Sequence, residues 1–482
     1  MYDVIVIGGG PAGVTAALRA RELGAKVALV ERDRMGGTCT NDGCVPTRVL
    51  AKAARLWRES AQFEEYGLMG ERPVVDFDRL IQRTQHVVYT IHEKKQLISS
   101  LEAAQVDTLT NVGPVSFRDA HTLVLQDGRT LEAEKFILCA GGRARRLDFP
   151  GEQYAMTHGD VWSLKRLPKS IIIVGGAATG CQLASIFNAF GVQVTLVEIS
   201  PHLIRVEDQA ISAILEKSFR ERGIQLVTGI SGVQRIEKLS DSLELIYTVE
   251  QESRSQAAEA VILSTGWLGN LDSLNLPAAG VETVRNYVRV DDFLRTSAEN
   301  IFAAGDITGR MMLVQSAGYE ALAAAENAVL GVGNRQQHTI VPHGGFTDPE
   351  YGSVGLTEEQ ARARSDVVVA TVSYANLDRA VIDGRAEGLC KLIVSSDNHR
   401  ILGAHVAGEQ ALEIIHVAAA AMAADMWIEQ LAELQIAYPT FTAVLGLAAR
   451  SIVRQLGVLP LSAQWLTLGE HKTSEWERRE EI

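Results

Sequence analysis

The sequence is poor in cysteine. Cys39, Cys44, Cys139, Cys181 and Cys390 are all it holds in 482 residues, an odd and sparse set that excludes a disulfide framework. It has no apolar run near the roughly 18 residues needed to span a bilayer, so no membrane partner is expected. An excess of basic residues is missing too: 46 Lys and Arg stand against 59 Asp and Glu, a net charge of −13. Nucleic acids and anionic membranes are recognised by clustered positive charge, and this balance argues against both. No basic and apolar leader precedes the strand-like pattern of MYDVIVIGGG, so a cytoplasmic location is expected.

What is present is an ordinary globular composition, 46% hydrophobic and 22% charged, in a chain long enough for about two to four domains. An internal repeat organises it. Residues 4–31 read VIVIGGGPAGVTAALRARELGAKVALVE, and residues 171–198 read IIIVGGAATGCQLASIFNAFGVQVTLVE. Each copy runs as an apolar strand, a Gly-rich turn, a helix, a second strand and a closing Glu. Gly8, Gly10, Gly13 and Glu31 superpose on Gly175, Ala177, Gly180 and Glu198 at a constant offset. In a dinucleotide site the first Gly permits the tight turn, the second admits the pyrophosphate, and the third lets helix pack on strand. The helix N-terminus offers free N–H groups to phosphate, and the acidic residue accepts from ribose hydroxyls. The repeat therefore predicts two dinucleotide sites.

Between the copies, residues 50–65 and 76–105 have amphipathic helical patterns, and strand-like pieces follow at VGPVSF, TLVLQDG and KFILCAGGRARRL. After the second copy, LSTGWLGN closes a unit and NIFAAGDITGRMMLVQSAGYEALAAAENAV returns to strand, turn and helix. The pattern changes near residue 340 to short strands and a helix-rich end. The expected domains are a discontinuous first unit (1–148 and 281–338), a second (149–280), an α+β region (339–465) and a polar tail (466–482). Cys139, Cys181 and Cys390 each stand among apolar residues and read as core packing.

GGGPAG, GGTCTNDGCVPTR, the second strand–turn–helix copy, ILCAGG, NIFAAGD and FTDPEYGSVGLTEEQA occur in this order. Together they resemble the flavoprotein pyridine nucleotide–disulfide oxidoreductases, the family of glutathione reductase, dihydrolipoamide dehydrogenase and mercuric reductase. The resemblance covers almost the whole chain. It implies an α/β fold of two Rossmann-like dinucleotide-binding domains plus a C-terminal α+β dimerisation domain. It further implies FAD in the first site, with Gly8, Gly10 and Gly13 at the pyrophosphate, Glu31 on the adenosine ribose, and Thr38, Gly142 and Asp306 lining the same cofactor. NADH or NADPH would occupy the second site, against Gly175, Gly180 and Glu198. A homodimer with shared active sites is the expected assembly.

Cys39 and Cys44 could be a staple, two metal ligands or a redox pair. A loop this short barely constrains the unfolded chain, and a zinc site needs about four ligands where no second Cys/His pair is at hand. A redox pair needs a setting that favours thiolate, which a helix N-terminus provides. By resemblance, Cys44 is the flavin-side thiol and Cys39 the interchange thiol that attacks the acceptor.

The chain departs from the family at several positions. Disulfide-reducing members carry a His–Pro motif near the C-terminus, with Glu five residues after the His. Tyr438 and Ala443 occupy those places here. A phenol with a pKa of about 10 is a poor proton shuttle at neutral pH. Mercuric reductases also place Tyr there, yet this chain lacks their C-terminal cysteine pair. The usual Lys after the second Cys is Arg48, its usual Glu partner is Gln182, the aromatic gate of the nicotinamide pocket is Ala178, and Trp267 replaces a common Arg. Two readings are open: a compensated Arg–Gln pair with function unchanged, or altered or weakened nicotinamide binding, toward which Trp267 also points. Glu198 would bond a ribose 2′-hydroxyl and repel a 2′-phosphate, favouring NADH, while Arg205 occupies a position that often binds the phosphate of NADPH. The expected activity is transfer of electrons from nicotinamide through FAD and the Cys39–Cys44 disulfide to a small-molecule or metal-ion acceptor: a metal ion, a quinone or another electrophile. A dihydrolipoamide dehydrogenase-like reductase and a redox-sensing flavoprotein with an impaired nicotinamide site are the alternatives.

Overall fold

The computed structural model describes residues 1–336 and 340–458; the expected polar tail lies outside the described residues. Among the described residues two compact units form, Met1–Arg205 with 216–336, and Val206–Leu215 with 340–458.

The first unit holds both copies of the repeat, each at the centre of a parallel sheet. In the first copy, β1 (Tyr2–Ile7) is followed by α1 (Pro11–Glu22) and β2 (Val27–Val30). β1 lies between β2 and strand Thr130–Leu138, with Asp107–Leu109 beyond β2 and Ile301–Ala303 beyond Thr130–Leu138, all parallel. The second copy builds a five-stranded parallel sheet around Ser170–Val174. The two copies share their register: Val4 faces Val27 as Ile171 faces Val194. Ile5, Val6, Leu29, Ile172, Ile173 and Leu196 are completely buried, and each such side chain contributes about 1.5–3 kcal/mol relative to exposure.

Pro11 starts α1, where its missing N–H costs nothing. The small residues Ala16, Ala17 and Ala20 let α1 approach helix Val314–Leu330, whose Ala321, Ala324 and Ala325 are also buried. Arg19 of α1 closes the contact on Glu326 at 2.7 Å.

The helical stretch after β2 begins earlier than residue 50. A five-residue helix α2 (Gly37–Asn41) leads directly into α3 (Cys44–Glu59). Pro46 is tolerated because it lies in the first turn of α3. The segment expected as one helix over 76–105 is broken at Gln96, which takes a left-handed φ of 48°. The result is α4 (Phe77–Lys95) and a short helix Leu97–Ala103. Asp76 caps α4 by accepting from Arg79 N–H at 3.0 Å.

The second unit is an antiparallel five-stranded sheet, in the order His343–Gly345, Tyr351–Gly355, Ile401–Ala407, Leu389–Ser395 and Val367–Ser373. Helices Ala411–Ala423, Ile428–Glu433 and Ala443–Leu456 share its core through Ile415, Leu431, Val444 and Ile452. This is the α+β region expected after residue 340. Cys139, Cys181 and Cys390 are buried, and burial pushes all three thiols far above the ordinary range.

Candidate active site

The two Gly-rich turns have the same construction. Gly8 and Gly175 adopt φ of 110° and 111°, which L-residues avoid. Their N–H groups each donate at 2.8 Å to the last residue of the neighbouring strand, Val30 and Val197. A Cβ on Gly13 would collide with the carbonyl of Gly8, and a Cβ on Gly180 with that of Gly175. The closing acids match as well. Glu31 accepts from Gly9 N–H at 2.6 Å and Asp33 N–H at 2.8 Å. Glu198 accepts from Gly176 N–H at 2.5 Å and Ser200 N–H at 2.7 Å. A carboxylate has about four acceptor sites, so each keeps capacity for ribose hydroxyls.

These features fit two dinucleotides. α1 and helix Ala178–Ala189 both start without a side-chain cap, which leaves their first N–H groups available for phosphate. Ala177, the one departure from the glycine pattern, is the N-cap in an extended conformation that Ala adopts freely. At the first turn, a Cβ on Gly37 would come within 2.9 Å of Gly10 Cα; this backbone approach ties α2 to the turn. Asp306 sits beside Gly142, whose added Cβ would lie 3.4 Å from the Asp306 Cβ. Burial, then the nearby charge of Glu320, raises the Asp306 carboxyl above its usual range. The buried hydroxyl of Ser316 in the first turn of helix Val314–Leu330 has no hydrogen-bond partner, as expected of a group facing a cofactor.

The cysteines lie where two short elements meet. Cys39 is half-buried on α2, and Cys44 is exposed at the first position of α3. Both are free thiols, hydrogen-bonded to one another. That bond comes first in lowering Cys44 to about 7; its own backbone N–H adds to it. The same bond pushes Cys39 up, and burial and the Asp306 charge add to the rise. The shared bond thus favours thiolate at Cys44 over Cys39. Thr38 shapes the turn between them, its carbonyl accepting from Asp42 N–H at 3.0 Å and Gly43 N–H at 2.7 Å.

Arg48 lies one turn beyond Cys44 on α3, which packs against helix Ala178–Ala189. Gln182, on that helix, donates to the Ala178 carbonyl at 3.0 Å. Arg205 is exposed beside Ile204, a β-branched residue at φ 42° whose N–H donates to the Gly176 carbonyl at 2.8 Å. Strain of this kind costs about 1–3 kcal/mol and clusters at functional loops. Tyr438 belongs to the second unit. It is 73% exposed, precedes a cis proline, and donates to Asp378 at 2.6 Å.

Several neighbours of the cysteines were not singled out from sequence. Lys95 and His92, at the end of α4, reach back to α2: Lys95 donates to the Thr40 hydroxyl at 2.9 Å, and His92 bonds Asn41 at 2.8 Å. Trp162 donates to the Asp42 carbonyl at 2.7 Å. Buried His158 lies against Trp267, with ring centroids 4.7 Å apart and planes tilted by 53°, and its Nε2 has no partner. Asp42 was readable as an acid between the cysteines. The others lie far along the chain and carry no motif.

Two nucleotide-type sites with a dithiol at the first define a flavin-dependent oxidoreductase. The pyridine nucleotide-disulphide oxidoreductase family matches residues 2–321, and its dimerisation domain matches residues 341–449. A mercuric reductase of Lysinibacillus sphaericus is 32% identical over 466 residues, 96% of this chain and 84% of that protein. A dihydrolipoyl dehydrogenase of Rhizobium etli is 32% identical over 462 residues, 91% of this chain and 95% of its own length. Among solved structures, the HOCl-induced flavoprotein disulfide reductase RclA from Escherichia coli is similar at a TM-score of 0.83 and 27% identity, covering 93% of this chain and 99% of that one. Its Cu(II) complex is equally similar, at a TM-score of 0.83. The chain belongs to the pyridine nucleotide-disulphide oxidoreductase family. Membership implies use of FAD and of NADH or NADPH.

Proposed function

We propose that the chain takes electrons from NADH or NADPH through FAD to the Cys39–Cys44 disulfide, and passes them to an acceptor other than a standard low-molecular-weight disulfide. The observation that carries this reading is the placement of two free thiols beside the first Gly-rich turn, Cys39 on α2 and Cys44 at the first position of α3, with their shared bond favouring thiolate at Cys44. Such a pair suits a flavin-side thiolate at Cys44 and an interchange thiol at Cys39. FAD supplies hydride acceptance from nicotinamide and two-electron delivery to the disulfide.

The chain's own residues bind, orient and hold protons. Gly8, Gly10 and Gly13 admit the FAD pyrophosphate, Glu31 takes the adenosine ribose, and Thr38, Gly142, Arg48 and Asp306 border the rest of it. Gly175, Gly180 and Gln182 border the nicotinamide nucleotide. Glu198, fixed by two backbone N–H groups, takes its adenosine ribose and favours NADH; exposed Arg205 is a weaker counterweight. The family's acid–base His would be replaced by Tyr438, whose phenol is raised by its bond to Asp378 and is poorly suited to thiol exchange. A metal ion, a quinone or another electrophile needs no such shuttle. The likeness to a mercuric reductase and to a Cu(II) complex of RclA supports the metal-ion option. In a homodimer joined through residues 341–449, Tyr438 would serve the partner's site.

Anaerobic titration of the holoprotein tests this. NADH should reduce the flavin, and Cys44→Ser should abolish the long-wavelength thiolate–flavin absorbance. No reduction by either nucleotide would overturn the enzyme reading. Rapid reoxidation by lipoamide would favour the dihydrolipoyl dehydrogenase-like alternative.

A further inference from the structure

We infer that Lys95 is the fixed cation of the Cys39–Cys44 pair and biases the site toward anionic electrophiles. Lys95 is the last residue of α4, and its ammonium donates at 2.9 Å to Thr40 Oγ1. Thr40 adjoins Cys39 and is completely buried, so the bond holds an otherwise flexible cation at the mouth of α2. One turn earlier, His92 grips Asn41 at 2.8 Å, and α4 is thereby pinned to the redox helix at two successive residues. The Lys95 charge reaches both sulfurs and favours their ionised forms.

The charged groups around the pair divide by element. From α4, Lys95 opposes Asp306, which disfavours thiolate at both cysteines. The Arg34 charge acts on Asp42 and His92. Asp42 faces His158. Arg48 lies on α3 beyond Cys44. A cation that favours the thiolate and remains solvent-accessible also attracts an incoming anion.

The inference deepens the proposed function and rests on that reading. Its test uses FAD-loaded protein reduced with dithiothreitol, desalted, and alkylated with iodoacetate or iodoacetamide. In either case a cysteine thiolate forms an S–C bond as the C–I bond breaks and iodide leaves; only the charge of the reagent differs. Peptide mass spectrometry assigns the modified residue. Cys139, Cys181 and Cys390, at most 5% exposed, should not react. The ratio of iodoacetate to iodoacetamide rates at the Cys39–Cys44 pair, whichever thiol reacts, should fall about threefold or more in Lys95→Met, hold in Lys95→Arg, and fall further in Lys95→Glu. High salt should lower the ratio in the parent and leave Lys95→Met unmoved. An unchanged ratio in Lys95→Met and Lys95→Glu overturns the inference. No nicotinamide enters the assay, so failure of hydride transfer in the anaerobic titration and failure of charge selectivity here are separate results.

Discussion

The Tyr438 phenol donates to Asp378 Oδ2 at 2.6 Å within the second unit. The bond raises the phenol's pKa, as does the Asp378 charge, so Tyr438 stays protonated at neutral pH. Tyr438→Phe should leave the melting temperature essentially unchanged, since the residue is exposed. Reduction of the flavin by NADH should not change, because that half-reaction needs no acid at the interchange thiol. Tyr438→His should raise lipoamide reduction by about tenfold. That is below the roughly 10²–10⁴ of a full general acid, because Ala443 provides no carboxylate to orient the ring. Stopped-flow measurement of both half-reactions checks this, and no gain with His would remove Tyr438 from the account of acceptor choice.

Gly13 and Gly180 are equivalent by construction, each packed on the carbonyl five residues earlier. Their Ala variants should nevertheless separate. Overpacking of this kind costs about 1–3 kcal/mol, enough for roughly a tenfold or greater loss of affinity. Gly13→Ala should purify with little flavin. Gly180→Ala should purify yellow and require about tenfold more NADH for the same rate of flavin reduction. Flavin absorbance per polypeptide and the NADH dependence of reduction are the two readings; flavin loss in Gly180→Ala would mean the two sites are not independent.

The repeat made most of this architecture legible. Strand register, turn glycines and closing acids recur because each copy solves the same problem of laying a helix N-terminus against phosphate. The closeness of Cys39 and Cys44 was equally readable, since they lie five positions apart in sequence. Lys95, His92, His158 and Trp162 were not. They reach the redox loop only through tertiary packing, from α4 and from the segment after Met156–Thr157, and no spacing in the sequence encodes that. The break at Gln96 was hidden for a related reason: the apolar pattern continues across it, while one left-handed residue redirects the chain and leaves Lys95 at a helix end.

Glu198 bears on the choice between NADH and NADPH. Its oxygens are fixed by Gly176 and Ser200 N–H groups, so a ribose 2′-hydroxyl would meet an oriented acceptor and a 2′-phosphate a repelling charge. Glu198→Ala should lower kcat/KM for NADH about tenfold, the scale of one hydrogen bond to a charged group. It should also raise the relative use of NADPH, with Arg205→Ala reversing that gain. Steady-state rates with both nucleotides decide it. A parent enzyme that prefers NADPH would assign the dominant role to Arg205.

The second unit carries a buried charge network with a predictable pH signature. Lys391, 7% exposed, bridges Asp208 at 2.8 Å and Glu358 at 2.5 Å. Burial alone would raise Asp208, but the Glu358 N–H and the Lys391 ammonium hold it below the usual carboxylate range. Its stabilisation is therefore complete above the unfolded value of about 3.9 and is lost as pH falls through the lower folded value. Burial alone would lower His343, but its bond to Glu207 at 3.2 Å raises it on balance. That contribution is complete below about pH 6.5 and fades as pH rises through the raised folded value. His405, lowered chiefly by burial, opposes it in the same range, so the diagnostic quantity is a difference between variants. The Tm deficit of His343→Gln should be largest near pH 5–6 and shrink above about pH 7. Lys391→Met should cost about 3–5 kcal/mol at neutral pH by leaving Asp208 buried without its cation, and progressively less as acid protonates Asp208. Thermal melts across pH 3.5–8.5 read both; a pH-independent deficit in either variant would assign these residues to packing alone.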